Sequence, residues 1–194
     1  MTSRSLIPGP VTLADLAAET GATPATPGGA VRGAEVVVVA IPETSVPVLP
    51  DGLFATRATG APIVDSGNYY PRRDGRIEGI ERGLPERRWV EQQIGTPVIK
   101  TFNSITAHHL LDLGQPPGTE RRVALPVAGD DATAKQTVMR LVEELGFDVV
   151  DAGGLDESWR QQPGAPCYLA DLDAERLRVA LANASPERPA LFRG

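Results

Sequence analysis

Glu35-Val36-Val37-Val38-Val39-Ala40-Ile41 is a run of four valines followed by two further apolar residues, and Pro42 stops it. No polar residue alternates with the valines. A continuous β-branched run of this kind suits a strand covered on both faces, as in a parallel sheet with helices above and below. The residues around it fix how the sheet is made.

Downstream, Pro62-Ile63-Val64-Asp65 is a second short buried strand, ending in the polar turn Ser66-Gly67-Asn68. Pro97 to Phe102 is a third, ending at Asn103. Val123 to Ala128 and Phe147 to Asp151 read as two more. Helices fall between them: Pro85 to Ile94, Ile105 to Leu113, and an amphipathic Ala132 to Leu145 with Val138, Leu141, Val142 and Leu145 on one face. Upstream, Val11 to Glu19 has helical spacing, with Thr12 as N-cap, Asp15 three residues on and Gly21 as terminator. Ala22 to Thr26 is expected to be a short strand, and Gly28, Gly29 and Gly33 bracket a helical turn. Thr44 to Thr56 is a weak helix broken by Pro47 and Pro50. Tyr69 to Gly79 is expected to be a charged loop. Glu157 to Arg160 is short and helical, Asp173 to Ala184 is the last helix, and the tail from Pro186 is expected to fray. Strands alternating with helices define an α/β protein with a mostly parallel, doubly wound sheet.

Composition narrows the function. Over 194 residues the net charge is −6, which disfavours a nucleic-acid backbone as partner. Arg72-Arg73, Arg87-Arg88 and Arg121-Arg122 are short clusters among acids and are expected on the solvated surface. Cys167 is the single cysteine, so an intramolecular disulfide is impossible, and it reads as a buried small hydrophobe. No apolar run approaches the ~20 residues that span a bilayer. Met1 to Pro10 lacks the pattern of a signal peptide, so the expected compartment is the cytoplasm.

In open α/β sheets, ligands bind beyond the carboxyl ends of the strands. Three ends are readable: Ala40-Ile41-Pro42-Glu43, Asp65-Ser66-Gly67-Asn68 and Lys100-Thr101-Phe102-Asn103. Each also has a purely structural reading as strand stop, turn residue or helix cap. Gly28, Gly29 and Gly33 precede the valine strand, so they are not the G-x-G-x-x-G turn that binds phosphate after a strand. His108 and His109 are adjacent on a helix and point about 100° apart, a poor arrangement for one metal. They read as surface or packing residues. Asp130-Asp131 directly precedes a helix and reads as an N-cap. No Ser-His-Asp or Cys-His arrangement can be assembled.

Five motifs in order, VVVVAIP (36–42), DSGNYY (65–70), KTFN (100–103), LPVAGDD (125–131) and ESWRQQPG (157–164), resemble the coenzyme F420-dependent NADP oxidoreductases. The resemblance covers about Ser3 to Leu181. It implies an incomplete NAD(P)-binding Rossmann domain over 1–114, a small C-terminal α/β portion over 119–185 and a tail over 186–194. It implies NADP as cofactor and a hydride passed between NADPH and a deazaflavin, coenzyme F420, or a related acceptor. Such transfer needs positioning and water exclusion more than a protein acid or base. By the same resemblance, Ser3 and Arg4 receive the 2′-phosphate of NADP, Ala40, Ile41 and Pro42 run beside the nicotinamide half, and Asn68 and Asn103 lie near the reacting rings.

The family has a strand, a glycine turn, a helix and a second strand ahead of its Ser-Arg step, roughly thirty residues of a βαβ opening. Those strands lie mid-sheet in the family's order. Without them Val36 to Ile41 is expected to form an exposed edge and the chain to be a homo-oligomer or poorly stable. Dinucleotide binding is expected to be weak or absent. The competing readings are a non-catalytic remnant kept as an interaction or structural module, and a ligand-binding protein without redox turnover.

Overall fold

The computed structural model describes residues 12–194. The chain opens with helix α1 (Leu13–Thr20) and α2 (Pro27–Val31). The Thr12 side chain accepts from the Asp15 amide while Asp15 accepts from the Thr12 amide, a capping box, and Gly21 ends α1 in the left-handed region at φ 72°. Residues 22–26 are not a strand, contrary to expectation. They are exposed and pair with no strand among the described residues, so the β pattern there has no ladder to join.

Three parallel strands follow: β1 (Val37–Val39), β2 (Ile63–Asp65) and β3 (Ile99–Lys100), in the order β1-β2-β3. Val37 pairs with Ile63 and Val39 with Asp65; Val64 pairs with Ile99. These three expected strands are present but shorter than their apolar runs. Pro62 and Pro97 lie just ahead of β2 and β3 and have no amide hydrogen for a ladder. Phe102, at φ 62°, turns the chain out of the sheet after β3. β1 also departs from its reading as a strand covered on both faces. Val37 and Val39 are buried, but Val38 is 50% exposed.

Between the strands lie α3 (Pro71–Asp74), α4 (Glu78–Glu81) and α5 (Glu86–Ile94). The 69–79 segment is therefore not a plain loop. Pro71 starts α3 with a preset φ, and Asp74 accepts from the Tyr70 amide and from Arg73. Residues 43–48 and 53–56 are 3-10 helices rather than one α-helix, as the interrupting prolines require.

After α6 (Ala107–Asp112), a second parallel pair is made by β4 (Ala124–Val127) and β5 (Asp148–Asp151), with α7 (Ala132–Glu144) between them and α8 (Ala174–Ala182) at the end. Among the described residues a single antiparallel bridge, Lys100 to Ala128, joins this pair to the first sheet. Residues 155–161 form a 3-10 helix.

Strand alternation divides the core. Ile63 and Val98 face one side with Val37, Val39, Val90 and Leu155. Val64 and Ile99 face the other with Leu125, Val127, Val142 and Phe147. A third cluster holds Cys167 with Val150, Leu177 and Leu181, so the cysteine is the buried hydrophobe its sequence suggests.

Two expectations are overturned. The tail is not frayed: Arg188 is buried and donates to Glu86, and the Gly194 amide donates to Glu81. The arginine pairs are not uniformly solvated: Arg87 is fully buried and Arg122 nearly so. Arg122 donates to Asp148 and to the carbonyls of Gln115, Glu143 and Gly146.

Phe147 has no solvent exposure and joins α7 to β4 in the second cluster. Phe147→Ala is expected to cost about 3–5 kcal/mol, read as a fall in urea-unfolding free energy.

Candidate functional site

The carboxyl ends of β1, β2 and β3 carry a buried ionic cluster. Glu43 follows β1, Asp65 ends β2 and Lys100 ends β3, and each is at most 1% exposed. Glu86 and Arg87 come from the first turn of α5, and Arg188 comes from the tail. Arg87 sits three residues before the fully buried Val90, so one helical stripe takes both into the core.

Arg87 divides its guanidinium among three acids. Nη1 meets Asp65, and Nη2 meets Glu43 and, at 3.1 Å, Glu86. Glu86 is shared further: Arg188 donates to its Oε1, and Lys100 Nζ lies 3.7 Å from its Oε2. Lys100 also donates to the Ser158 carbonyl at 3.3 Å. Three carboxylates thus face three cations. The match is uneven within the cluster, because Glu43 and Asp65 share Arg87 while Glu86 has three cations.

The proton affinities follow. Burial pushes the Glu43 carboxyl up to about 7, Asp65 and Glu86 add to the shift, and Arg87 opposes it. Burial also works against an ionised Glu86, but Lys100, Arg87 and Arg188 outweigh it and hold its carboxyl below the usual range. Burial draws Lys100 down to about 8, with Arg87 assisting and Glu86 resisting. Gly67 leaves the space the carboxylates occupy. A Cβ there would lie 3.1 Å from both Asp65 Oδ1 and Glu43 Oε2, and the Gly67 amide donates to Asp65 at 2.8 Å.

Beside this floor the two candidate asparagines meet. Asn68 Nδ2 donates to the Asn103 carbonyl at 2.9 Å. Asn103 Nδ2 donates to Asn68 Oδ1 at 3.1 Å and to the Gln161 carbonyl at 2.6 Å. Asn103 is 2% exposed, and its Oδ1 has no partner among the described residues. The left-handed Phe102 just before it carries the chain from Lys100 to this position.

Ala40, Ile41 and Pro42 lie at the neighbouring strand end, exposed except for the half-buried Ile41. Ser66 links the two ends, its amide donating to the Val39 carbonyl at 3.1 Å. Ala40 and Ile41 border an apolar groove of about 270 Å³ along β1, walled by Val38, Leu49, Leu53 and Phe54. Ser3 and Arg4 lie outside the described residues.

The remaining candidates disperse. Asp131 caps α7, accepting from the Thr133 and Ala134 amides, while Asp130 accepts from the Leu155 amide and pairs with Arg88. His108 lies 3.0 Å from Asp112, and His109 lies 2.6 Å from Asp171. Among the described residues no group of three or more His, Cys, Asp or Glu could hold a metal ion, and no helix is long and apolar enough to cross a membrane. The residues that sequence reading missed are Glu86, Arg87 and Arg188. The usable signal was the spacing of Arg87 to Val90 on a helix facing a sheet.

This is an α/β protein with parallel strands in a Rossmann-like arrangement and a polar constellation at their carboxyl ends. No family model matches the chain. It is 49% identical over 59 residues to the protein YjhV of Escherichia coli (strain K12), which covers 30% of this chain and 43% of that protein. Among solved structures it resembles the hypothetical protein SMa0349 from Sinorhizobium meliloti, with 28% identity and a TM-score of 0.56 over 72% of this chain and 66% of that one. A second structure, provisionally named an F420-dependent NADP reductase, from Arthrobacter sp. FB24, has 25% identity and a TM-score of 0.48 over 68% of this chain and 60% of that one. The chain thus spans 43%, 66% and 60% of the length of these three proteins.

Removing one partner of a buried ion pair leaves an uncompensated charge. Arg87→Met is therefore expected to cost about 3–5 kcal/mol in urea unfolding or to prevent folding. Glu43 makes a second prediction. Its folded affinity for the proton is raised from 4.5 to about 7, so its contribution to stability is full below pH 4.5 and is lost as pH rises through 7. Glu43→Gln is expected to flatten that decline in urea midpoints between pH 4.5 and 7; a decline of unchanged size would assign it to another group.

Proposed function

We propose that this chain is part of an NADP(H)-linked oxidoreductase that passes a hydride between NADPH and a deazaflavin, coenzyme F420, or a related acceptor. The carrying observation is the convergence of Asn68 and Asn103 beside the exposed end of β1, on the ligand-binding edge of a parallel sheet. The ordered set of five motifs supports the same reading. In this proposal residues 1–114 carry the dinucleotide, with 119–185 as the smaller portion and 186–194 as its strap.

The residues present fit the nicotinamide half. Ala40, Ile41 and Pro42 offer an accessible, weakly polar strip, with the half-buried Asn68 beside it. Asn68 and Asn103 hold and orient polar groups at the strip's edge. Ser3 and Arg4 are proposed for the 2′-phosphate. The turn after β4 does not suit a diphosphate, because Asp130 and Asp131 sit where phosphate would approach α7. When bound, NADPH supplies the hydride. The chain supplies orientation and a buried ionic floor beneath the strand ends.

One observation favours the second reading, a non-catalytic structural or interaction module. Asn68 and Asn103 spend most of their hydrogen-bonding groups on one another and on main chain. Calorimetric titration separates the two. We expect NADPH to bind saturably but weakly, with a dissociation constant near about 1 mM, or about −4.1 kcal/mol, and to bleach added deazaflavin slowly. No saturable heat at that concentration would leave the non-catalytic reading.

A further inference from the structure

A second recess lies behind Arg188, outside the strand-end site. The tail, the turn after α4 and residues 159–162 enclose a cleft of about 340 Å³, within the size range of small-molecule sites. Its walls are of two kinds. Ile80, Leu84, Pro85 and Trp159 are apolar or aromatic, whereas Arg188, Arg193 and Gln162 are donors.

Several features make it a prepared site. Trp159 is held in the wall by Arg160, whose guanidinium carbon stacks 4.4 Å from the indole centroid. Gln162 is only 4% exposed and lines the cleft. Arg188 is 9% exposed and its Nη1 has no partner among the described residues. Arg193 is anchored through Nε to the Arg188 carbonyl at 2.6 Å, which leaves the rest of its fork available.

The acids at the cleft, Glu81 and Glu187, are outnumbered by Arg82, Arg188 and Arg193. Glu81 Oε1 is taken by the Tyr69 hydroxyl at 2.9 Å and the Gly194 amide at 3.0 Å. Glu187 is a long 3.9 Å from Arg193 and its side chain is 83% exposed. Arginine forks match planar oxyanions bidentately, and an indole beside them suits a flat apolar body.

We propose that this cleft binds a small oxyanion carried on an aromatic body, an aryl carboxylate or aryl phosphate, through Arg193, Gln162 and Trp159. Arg188 holds Arg193 in place through its carbonyl. The reading is independent of any dinucleotide at the strand ends.

The test titrates the whole chain with benzoate, phenyl phosphate, inorganic phosphate and benzyl alcohol, by calorimetry and by Trp fluorescence. Saturable binding is expected for benzoate or phenyl phosphate, at least tenfold tighter than for benzyl alcohol or inorganic phosphate. Which aryl anion wins identifies the oxyanion. Arg193→Ala, at an exposed side chain, is expected to weaken binding at least tenfold with the circular dichroism spectrum unchanged, and Trp159→Leu to abolish the fluorescence response. Absence of saturable binding overturns the proposal. So does equal binding of benzyl alcohol, equal binding of inorganic phosphate as an adventitious ion only, or unchanged affinity in a folded Arg193→Ala.

Discussion

A fully buried guanidinium holds this molecule's working edge together. Arg87 reaches Asp65 at the end of β2, Glu43 beyond the end of β1, and its own neighbour Glu86. An arginine can serve three acids at once because its donors form a rigid planar fork that stays charged when buried. The desolvation of such a group is costly, and the attraction repays it only when every partner is in place. Position is therefore tightly specified. Strand ends, helix α5 and tail must reach one another in one arrangement, or a charge is left bare in the core. The apolar clusters on either side would tolerate small shifts; the ions between them would not.

Much of the framework was legible in the sequence because it rests on local rules. The Thr12 and Asp131 caps, the Gly21 stop and the position of every strand of the two sheets follow from side-chain chemistry within a few residues. What failed was non-local. Arg87 and Arg88 look alike in sequence, but Arg87 lies on the buried stripe of α5 and Arg88 pairs with Asp130 and Asp156 at the surface. The 22–26 segment has a strand's composition but no ladder beside it. The tail's composition suggests fraying, and only the distant Glu86 explains why Arg188 is buried. For the candidate site, the three strand ends were readable, as was the pairing of two asparagines with them. The carboxylate-rich floor beneath was not, because it is assembled from five separate stretches of chain.

That floor bears on what the edge can do. Charges held in fixed pairs inside the protein reorganise little when a ligand arrives. Gly67 keeps the layer thin, since any side chain there would press on both carboxylates. Asn68 and Asn103 stand at its rim, and Asn103 is braced by the Gln161 carbonyl from the 155–161 helix. The second sheet contributes to the edge through that helix and through one bridge, Lys100 to Ala128. Changes in the second sheet therefore have a short mechanical route to the strand ends, and Lys100 lies on it.

The contact between Glu86 and Arg188 spans 102 positions of the chain. During vectorial synthesis, a ribosome releases the first sheet and α5 long before it adds the arginine that completes the shell around Glu86. At ordinary elongation rates of about 5–20 residues per second that interval lasts several seconds. Through it Glu86 has only Arg87 and Lys100 as counter-charges, and the three acids of the floor face two cations instead of three. The complete ionic floor at the strand ends therefore requires the tail.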